Sequence, residues 1–444
     1  MAAKGSNHPK VNYLIGLPDD VTVTNMVMRE NCDEFFVSYK HPEQRHCPHC
    51  HSNNCIIKDA GRNQTVRHTP VGMRGTIISF HKQRLYCKDC RSTFFVHPEW
   101  LHPSLHMTDL LYITLCCDLT QMHSITTIAQ NKRVTPSVVT SVLDTILLQR
   151  PSTLPVTLCV DEFRGSSGEW DAEKRRWDVN KYHCNIADGD AGIIFDILPM
   201  ITAEFLTRYF RRFSVRDRDR VKYFCCDMHS GFISVAKQLF PKARVCIDMF
   251  HVVKLINDTV DGIRRRLQND MVEHDSEKYT LLKGAARSLL SCEIKQELLM
   301  NPHNAQRLEK LKTVFGYFPE LEEAYHALQS FHFINRNTPL MLKKADLTDW
   351  IADYANSNTP ELKALALRIR YWRGYIHNAW QYERTNSVCE GLNNKIKVLK
   401  RISYGAHSFD SFRKRVLLTC GPIRLANDPF TIFQEKRKGK GIRL

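Results

Sequence analysis

Two Cys-x-x-Cys pairs, Cys47-Pro-His-Cys50 and Cys87-Lys-Asp-Cys90, stand 36 residues apart. Each pair can sit on a tight turn that aims two thiolates at one ion, and two such turns complete the tetrahedral sulfur set that zinc prefers. A closed four-thiolate site is structural: it folds a segment too small to hold itself together. His46, His49, His51 and Cys55 crowd the first pair and are read as bystanders, with a swap of one ligand left open. Acidic residues suggest a second chemistry. Asp161 follows the run Thr157–Val160, Asp227 follows Val221–Cys226, and Asp248 follows Ala243–Ile247. Glu390 lies in the segment Arg384–Arg401, which as a helix lines up Asn386, Glu390, Asn393 or Asn394, Lys397 and Arg401 on one stripe. Two aspartates and one further acid can hold two magnesium or manganese ions about 4 Å apart, which is what phosphodiester cleavage by water or a DNA 3'-hydroxyl requires. Taken singly, each aspartate reads better as a turn or cap residue, so the weight falls on the set. Glu162 is a rival ligand beside Asp161, although strand alternation turns it the other way.

These residues need elements to hold them. Between the Cys pairs, Gln64–Arg67, Thr76–Phe80 and Gln83–Tyr86 alternate like strands, which predicts a zinc ribbon. A helix around Met107–Asp118 is followed by a short helix Ser124–Gln130, a turn Asn131–Val134, and a helix Ser137–Gln149 with Thr135 as N-cap and Pro136 at its first position. That is a helix-turn-helix pattern, with Lys132 and Arg133 in its turn as candidate DNA-phosphate contacts. From Pro155 the pattern changes to a strand at Thr157–Val160, a hairpin of Lys181–Ala187 and Ile193–Leu198, and a helix Thr202–Arg212. Strand Val221–Cys226, helix Gly231–Leu239 and strand Ala243–Ile247 follow. This order is that of a ribonuclease H-like core, a mixed sheet with helices. Val252–Tyr382 is mostly helical: Leu255–Asn269, Tyr279–Leu290, Glu293–Leu299, Asn304–Thr313, Glu320–Phe331 and Pro360–Arg373. Trp350, Trp372 and Trp380 within it are assigned to core packing rather than to stacking on DNA.

The chain has 444 residues, enough for several folding units. Its 63 Lys and Arg against 47 Asp and Glu give a net charge of +16, and from Gly391 onward 13 basic residues face 3 acidic ones. Such a balance points to a polyanionic partner, with Lys395, Lys397, Lys400 and Arg401 as DNA-binding candidates. An ordinary share of hydrophobic residues, 43%, excludes wholesale disorder, and no apolar run approaches a membrane span. Met1–Lys10 shows no secretory h-region, so most of the 16 cysteines read as reduced core thiols in a cytoplasmic protein.

Together, Cys47–Cys90, Ser124–Leu148, Val160-Asp-Glu-Phe163, Cys226-Asp-Met-His229, Ile247–Lys254 and Thr385–Lys397 resemble the ISL-three family of bacterial insertion-sequence transposases, a branch of the DDE transposases, over nearly the whole chain. The resemblance implies Asp161, Asp227 and Glu390 as the catalytic triad and ligands of two Mg2+ or Mn2+ ions. It implies supporting roles for Asp248, His251, Asn386 and Asn394. It further implies an α/β multidomain chain. A lead segment (1–40) precedes the zinc ribbon (41–100) and a helix-turn-helix DNA-binding domain (101–150). The first part of the ribonuclease H-like core (151–254) is interrupted by an all-helical insertion (255–380), then resumes in the acidic helix and closing segment (381–425) before a basic tail (426–444). The expected function is binding of terminal inverted repeats, metal-dependent cleavage and strand transfer to target DNA, by a homo-oligomer in a synaptic complex, nucleoid-associated when bound. Tyr404 is read as structural, not as a recombinase nucleophile, because no Arg-His-Arg set accompanies it. The alternatives are an inactive DNA-binding regulator with the same front end, and a metal-dependent nuclease without strand transfer.

Overall fold

The computed structural model describes residues 14–39, 46–148, 152–165, 169–171, 176–178, 182–291, 302–403 and 408–422. The chain divides into two compact units: Met1–Arg150, Ser166–Glu169 and Asn394–Leu444 form the first, Pro151–Gly165 and Trp170–Asn393 the second. The expectations for Met1–Lys10, for a helix at Glu293–Leu299, for Tyr404 and for the tail 426–444 lie outside the described residues. Among the described residues no helix is long and apolar enough to cross a membrane.

The strands of the first unit are β1 (Val21–Met28), β2 (Cys32–Tyr39), β3 (Cys55–Val71), β4 (Arg74–Cys87) and β5 (Thr93–Phe95). Their sheet order is β1-β2-β4-β3, with β5 on β4. The lead segment is therefore part of the ribbon's sheet, and the two stretches expected at Thr76–Phe80 and Gln83–Tyr86 are one strand. Phe35, Val37, Val66, Ile78, Phe80, Trp100 and Leu101 form its core. Buried His68 fastens the sheet to the first helix after it: Nε2 donates to the Ile15 carbonyl at 2.5 Å, and Nδ1 lies 2.8 Å from the Thr108 hydroxyl. Thr108 in turn caps α1 (Asp109–Leu119), accepting from Leu111 N. Ser124 caps α2 (Ile125–Asn131) in the same way, and Pro136 opens α3 (Pro136–Thr145). This helix ends at Thr145, short of the expected Gln149, because Ile146 turns to an extended backbone and is buried.

The second unit is built on β6 (Thr157–Arg164), a small hairpin β7 (Glu169–Asp171, from Trp170 on in this unit) and β8 (Arg176–Asp178), β9 (Tyr182–Asp188) and β10 (Ile193–Leu198). Helices α4 (Ala203–Phe210) and α5 (Val215–Arg218), β11 (Tyr223–Cys226), α6 (Ser230–Leu239) and β12 (Arg244–Ile247) follow. The sheet order is β10-β9-β6-β11-β12, antiparallel from β10 to β6 and parallel from β6 to β12. The fully buried residues Leu158, Cys159, Val160, Phe224, Cys225 and Cys226 explain why the central strands read as continuous apolar runs. Six helices come next among the described residues: α7 (Met249–Asp270), α8 (Ser276–Leu290), α9 (Pro302–Tyr317), α10 (Pro319–Arg336), α11 (Leu340–Ala355) and α12 (Pro360–Tyr382). Trp350, Trp372 and Trp380 are buried in this unit's core. The indole N–H of Trp350 donates to the Ala327 carbonyl at 3.0 Å, and that of Trp380 to Asn335 Oδ1 at 2.8 Å.

Helix α13 (Ser387–Ile402) carries the boundary between the units at Asn393 and Asn394. The last helix, α14 (Phe409–Cys420), belongs to the first unit, where Leu418 joins the core of α1, α2 and α3. Buried Arg415 donates to the carbonyls of Gln121 and His123 at 2.7 and 2.6 Å, closing the loop between α1 and α2. Within the span 381–425, expected as one closing piece of the core, α14 thus packs in the first unit.

Candidate active site and metal centre

Register places the acids. Val160, Cys226 and Ile247 are level across β6, β11 and β12, so the next residues, Asp161, Asp227 and Asp248, form one row at that edge of the sheet. Asp161 is not the end of its strand, as the sequence suggests. β6 runs on to Arg164 because it keeps pairing with β9 after β11 has stopped at Cys226. Asp248 is the N-cap of α7, accepting from Phe250 N at 3.0 Å, and one turn into that helix His251 swings back over the row. His251 Nδ1 lies 3.0 Å from Asp227 Oδ1 and 3.6 Å from Asp248 Oδ2.

Helix α13 covers the row from the other side. Asn386, just ahead of it, is buried, donates to the Val160 carbonyl at 3.2 Å and lies beside the Asp227 carboxylate. Asn393, two turns on, donates to Asp161 Oδ2 at 2.8 Å and to the Glu162 carbonyl at 3.2 Å. Its own Oδ1 accepts at 3.0 Å from Asn185, the fully buried cross-strand neighbour of Asp161 on β9. Glu390 lies between these two amides on one stripe. At about 100° per residue, positions 386, 390 and 393 point within about 60° of one another. Its side chain is exposed, and among the described residues no hydrogen bond joins it to either aspartate. Asn394 is exposed and accepts from Lys397 at 3.3 Å, so the amide that reaches Asp161 is that of Asn393.

The electrostatics follow from burial. Asp161 is only 7% exposed, and desolvation first, then the negative charge of Asp227, hold its pKa up at about 7. Asp227 is raised chiefly by burial, opposed by the neighbouring His251. His251 is raised by the Asp248 side chain first and by the other surrounding carboxylates, against its own desolvation. Asp227 Oδ1 and His251 Nδ1 are buried without a well-directed hydrogen bond, and one ligand atom each from Asp227, Asp248 and His251 lies within 4.8 Å of the others. Two carboxylates and an imidazole that converge in this way fit a divalent cation of the magnesium or manganese class. Asp227 and His251 also line a cleft of about 360 Å³ with Glu162, Lys254 and Arg368.

The second metal centre lies in the first unit. The thiols of Cys47, Cys50, Cys87 and Cys90 all lie within 4.8 Å of one another. The sulfurs of Cys47 and Cys90 are 3.5 Å apart and those of Cys50 and Cys87 3.6 Å, close to the roughly 3.8 Å edge of a zinc–thiolate tetrahedron. The set fits structural zinc, and His46, His49, His51 and Cys55 are outside it. Asp89 ties the two turns together, accepting from the Ser52 hydroxyl and from Asn54 Nδ2. Of the DNA-binding candidates, Lys132 is paired with Asp118 at 3.4 Å, and Arg133 is exposed in a left-handed turn. Lys395, Lys397 and Arg401 are exposed and Lys400 half-buried on the later turns of α13. Asn185 carries no local sequence signal that singles it out, because pairing opposite Asp161 is a property of the sheet, whereas Asn393 is one of the two amides that the helical stripe admits.

Residues 158–416 match the model of the DDE transposase domain of the ISL-three (ISL3) family, described as a transposase. Residues 43–90 match that of the zinc-finger of transposase IS204/IS1001/IS1096/IS1165. The chain is similar to the transposase for insertion sequence element IS1001 of Bordetella parapertussis, 23% identical over 359 residues that cover 78% of this chain and 82% of the relative. It is also similar to the transposase for insertion sequence element IS1557 of Mycobacterium tuberculosis (strain CDC 1551 / Oshkosh), 24% identical over 253 residues, 54% of this chain and 57% of that protein. The transposase model spans more than half of the chain, which therefore belongs to the ISL3 family of insertion-sequence transposases.

Proposed function

We propose that the protein binds the terminal inverted repeats of its own mobile element, cleaves at the element ends and joins the freed 3'-hydroxyl to target DNA. In this reading the second unit is a ribonuclease H-like core interrupted by a helical insertion, and the first is the DNA-recognition unit. Asp161, Asp227 and Glu390 would hold two Mg2+ or Mn2+ ions, which would supply charge neutralisation for phosphodiester cleavage and joining. Asn393 and Asn386 fix the carboxylate row against α13. Asp248 and His251 keep Asp227 in place. The chain works in the cytoplasm on duplex DNA, as a homo-oligomer that holds two ends.

The observation that carries the reading is the row itself: buried Asp161 and half-buried Asp227 brought level by strand register, faced by a helix whose next turn bears Glu390. The test uses a duplex carrying the inverted repeats that flank the gene, with Mg2+, and follows both cleavage and covalent joining of the 3'-end to a plasmid. Asp161→Asn, Asp227→Asn and Glu390→Gln should each abolish both steps while leaving the protein folded. Mg2+-dependent cleavage that persists in Asp227→Asn or Glu390→Gln refutes the triad. Cleavage without joining by the native protein makes it a nuclease, and binding without either makes it a regulator.

A further inference from the structure

The zinc ribbon carries an unusual concentration of positive charge on one face of its long hairpin. Along the column of inward-facing positions, Val66 stands opposite Ile78 and Gln64 opposite Phe80, all part of or adjoining the core. Two residues further the column changes character. Arg62 stands opposite Lys82, Asp59 opposite Arg84, and Arg84 opposite Phe95 of β5. The three cations converge on one ring: the Arg62 guanidinium lies 4.8 Å from the Phe95 centroid, the Lys82 ammonium 5.5 Å and the Arg84 guanidinium 5.8 Å. The acid that answers them is Asp59, 3.2 Å from Arg84.

Like charges directly opposite in an antiparallel pair destabilise a sheet, so Arg62 facing Lys82 costs the free protein stability. Burial and the Arg62 charge both push the Lys82 ammonium toward its neutral form. The backbone is shaped to make this pairing. The register slips between Asp59 and Arg62 in a bulge at Gly61, which has φ +72° and where a Cβ would meet the Lys82 carbonyl oxygen at 2.1 Å. Asp59 Oδ1 takes the Gly61 N–H at 2.9 Å and fixes the bulge. The aromatic ring then holds the guanidinium groups by cation–π attraction, so that their order is set in advance of any partner. Guanidinium forks held in this way match the oxygens of a phosphodiester.

We infer that Arg62, Lys82 and Arg84, arrayed around Phe95, are a phosphate-backbone contact surface of the ribbon for duplex DNA, separate from the helix-turn-helix. This rests on the reading of the chain as a DNA-binding transposase and adds to it a surface on the ribbon that positions the protein without reading sequence.

The test takes the full-length, zinc-loaded protein and a short fluorescein-labelled DNA duplex of arbitrary sequence, with anisotropy followed across a salt series. For Arg62→Ala/Lys82→Met, the slope of log affinity against log salt should fall by about 2, with affinity down about tenfold or more at moderate salt. Arg62→Lys/Lys82→Arg, which keeps the charge, should retain the native slope. Thermal melts supply a second readout. Lys82→Met alone removes one member of the repelling pair, so it should melt no lower than the native protein while its salt slope falls by about 1. Lys82→Met also carries the test if the double variant loses its zinc. An unchanged slope in variants of a protein that itself binds the duplex overturns the inference and leaves the transposase reading standing. Failure of the native protein to bind any duplex refutes that reading instead. Binding of poly-L-glutamate that the variants lose, with DNA binding intact, assigns the surface to an acidic protein and also overturns the inference.

Discussion

Asn393 does two things with one amide: it donates to the Asp161 carboxylate and to the backbone beneath it, and it accepts from Asn185. It is a positioning residue, because it acts through Asp161 and not on DNA. Replacing it with alanine leaves one buried carboxylate oxygen without its donor and the Asn185 amide without its acceptor. Asn393→Ala should lower Mg2+-dependent cleavage by about 10- to 100-fold and raise the Mg2+ concentration needed for half-maximal rate. Asn185→Ala should do the same more weakly. A fall in rate with an unmoved Mg2+ requirement, accompanied by a lower melting temperature, would reduce both residues to scaffolding. At this scale the sequence is legible in part. Asp161, Asp227 and Asp248 stand out because each follows an apolar run. The stripe from Asn386 admits either Asn393 or Asn394, since three and four residues straddle the turn of about 3.6. Docking of α13 on the sheet, not the helix itself, selects Asn393. Asn185 is invisible locally because its partner lies 208 positions away.

Both halves of the zinc ribbon make the same turn. His51 follows Cys50 with φ 59°, and Arg91 follows Cys90 with φ 59°. In each, the backbone N–H of the first Cys is bonded to a serine carbonyl five residues on, Ser52 for Cys47 and Ser92 for Cys87, at 2.9 Å. A left-handed residue with a Cβ is strained, so glycine at either position should relieve more than its added freedom in the unfolded chain costs. His51→Gly and Arg91→Gly should each stabilise the zinc-bound ribbon by up to about 1 kcal/mol and slow zinc loss to a chelator. Faster loss in both would mean that His51 and Arg91 hold the turns through side-chain contacts. Cysteine spacing alone makes this element readable in the sequence, because the ligands of one ion must come in close pairs. Four other elements escape such a reading. β1 and β2 alternate in Val21-Thr-Val and Phe35-Phe-Val and pair with each other, but they join the sheet only through the pairing of β2 with β4 further along the chain. In α11, Leu340, Met341 and Leu342 are exposed while Leu347, Trp350 and Ile351 are buried, so its apolar residues do not follow one helical face. α14 looks like a basic, solvated helix until Arg415 is seen donating to carbonyls nearly 300 residues back.

At the scale of the molecule, each unit carries its own ion chemistry: thiolates in the first and a carboxylate row in the second. Two compact units with separate cores should unfold in separable steps. Removing zinc should lower the transition of the first unit, whereas Mg2+ should raise that of the second. The carboxylate row gives the second transition a definite pH dependence. Burial, and then Asp227, hold the Asp161 carboxyl at about 7. Its unfolded value is about 4, so the fold prefers the protonated acid. The stability associated with this group is therefore complete below about pH 4 and is lost as pH rises through about 7. An amide at this position cannot ionise. In metal-free buffer, Asp161→Asn should raise the second transition more at about pH 8 than at about pH 5, by a difference of the order of 2 kcal/mol. The same variant should respond to Mg2+ much less than the native protein, because the repulsion that a divalent cation neutralises is already gone. Differential scanning calorimetry at both pH values, with and without Mg2+, separates the outcomes. An equal gain at both pH values would mean that Asp161 is ionised throughout, and a full Mg2+ response in Asp161→Asn would place the cation elsewhere in the row, against Asp227, Asp248 and His251.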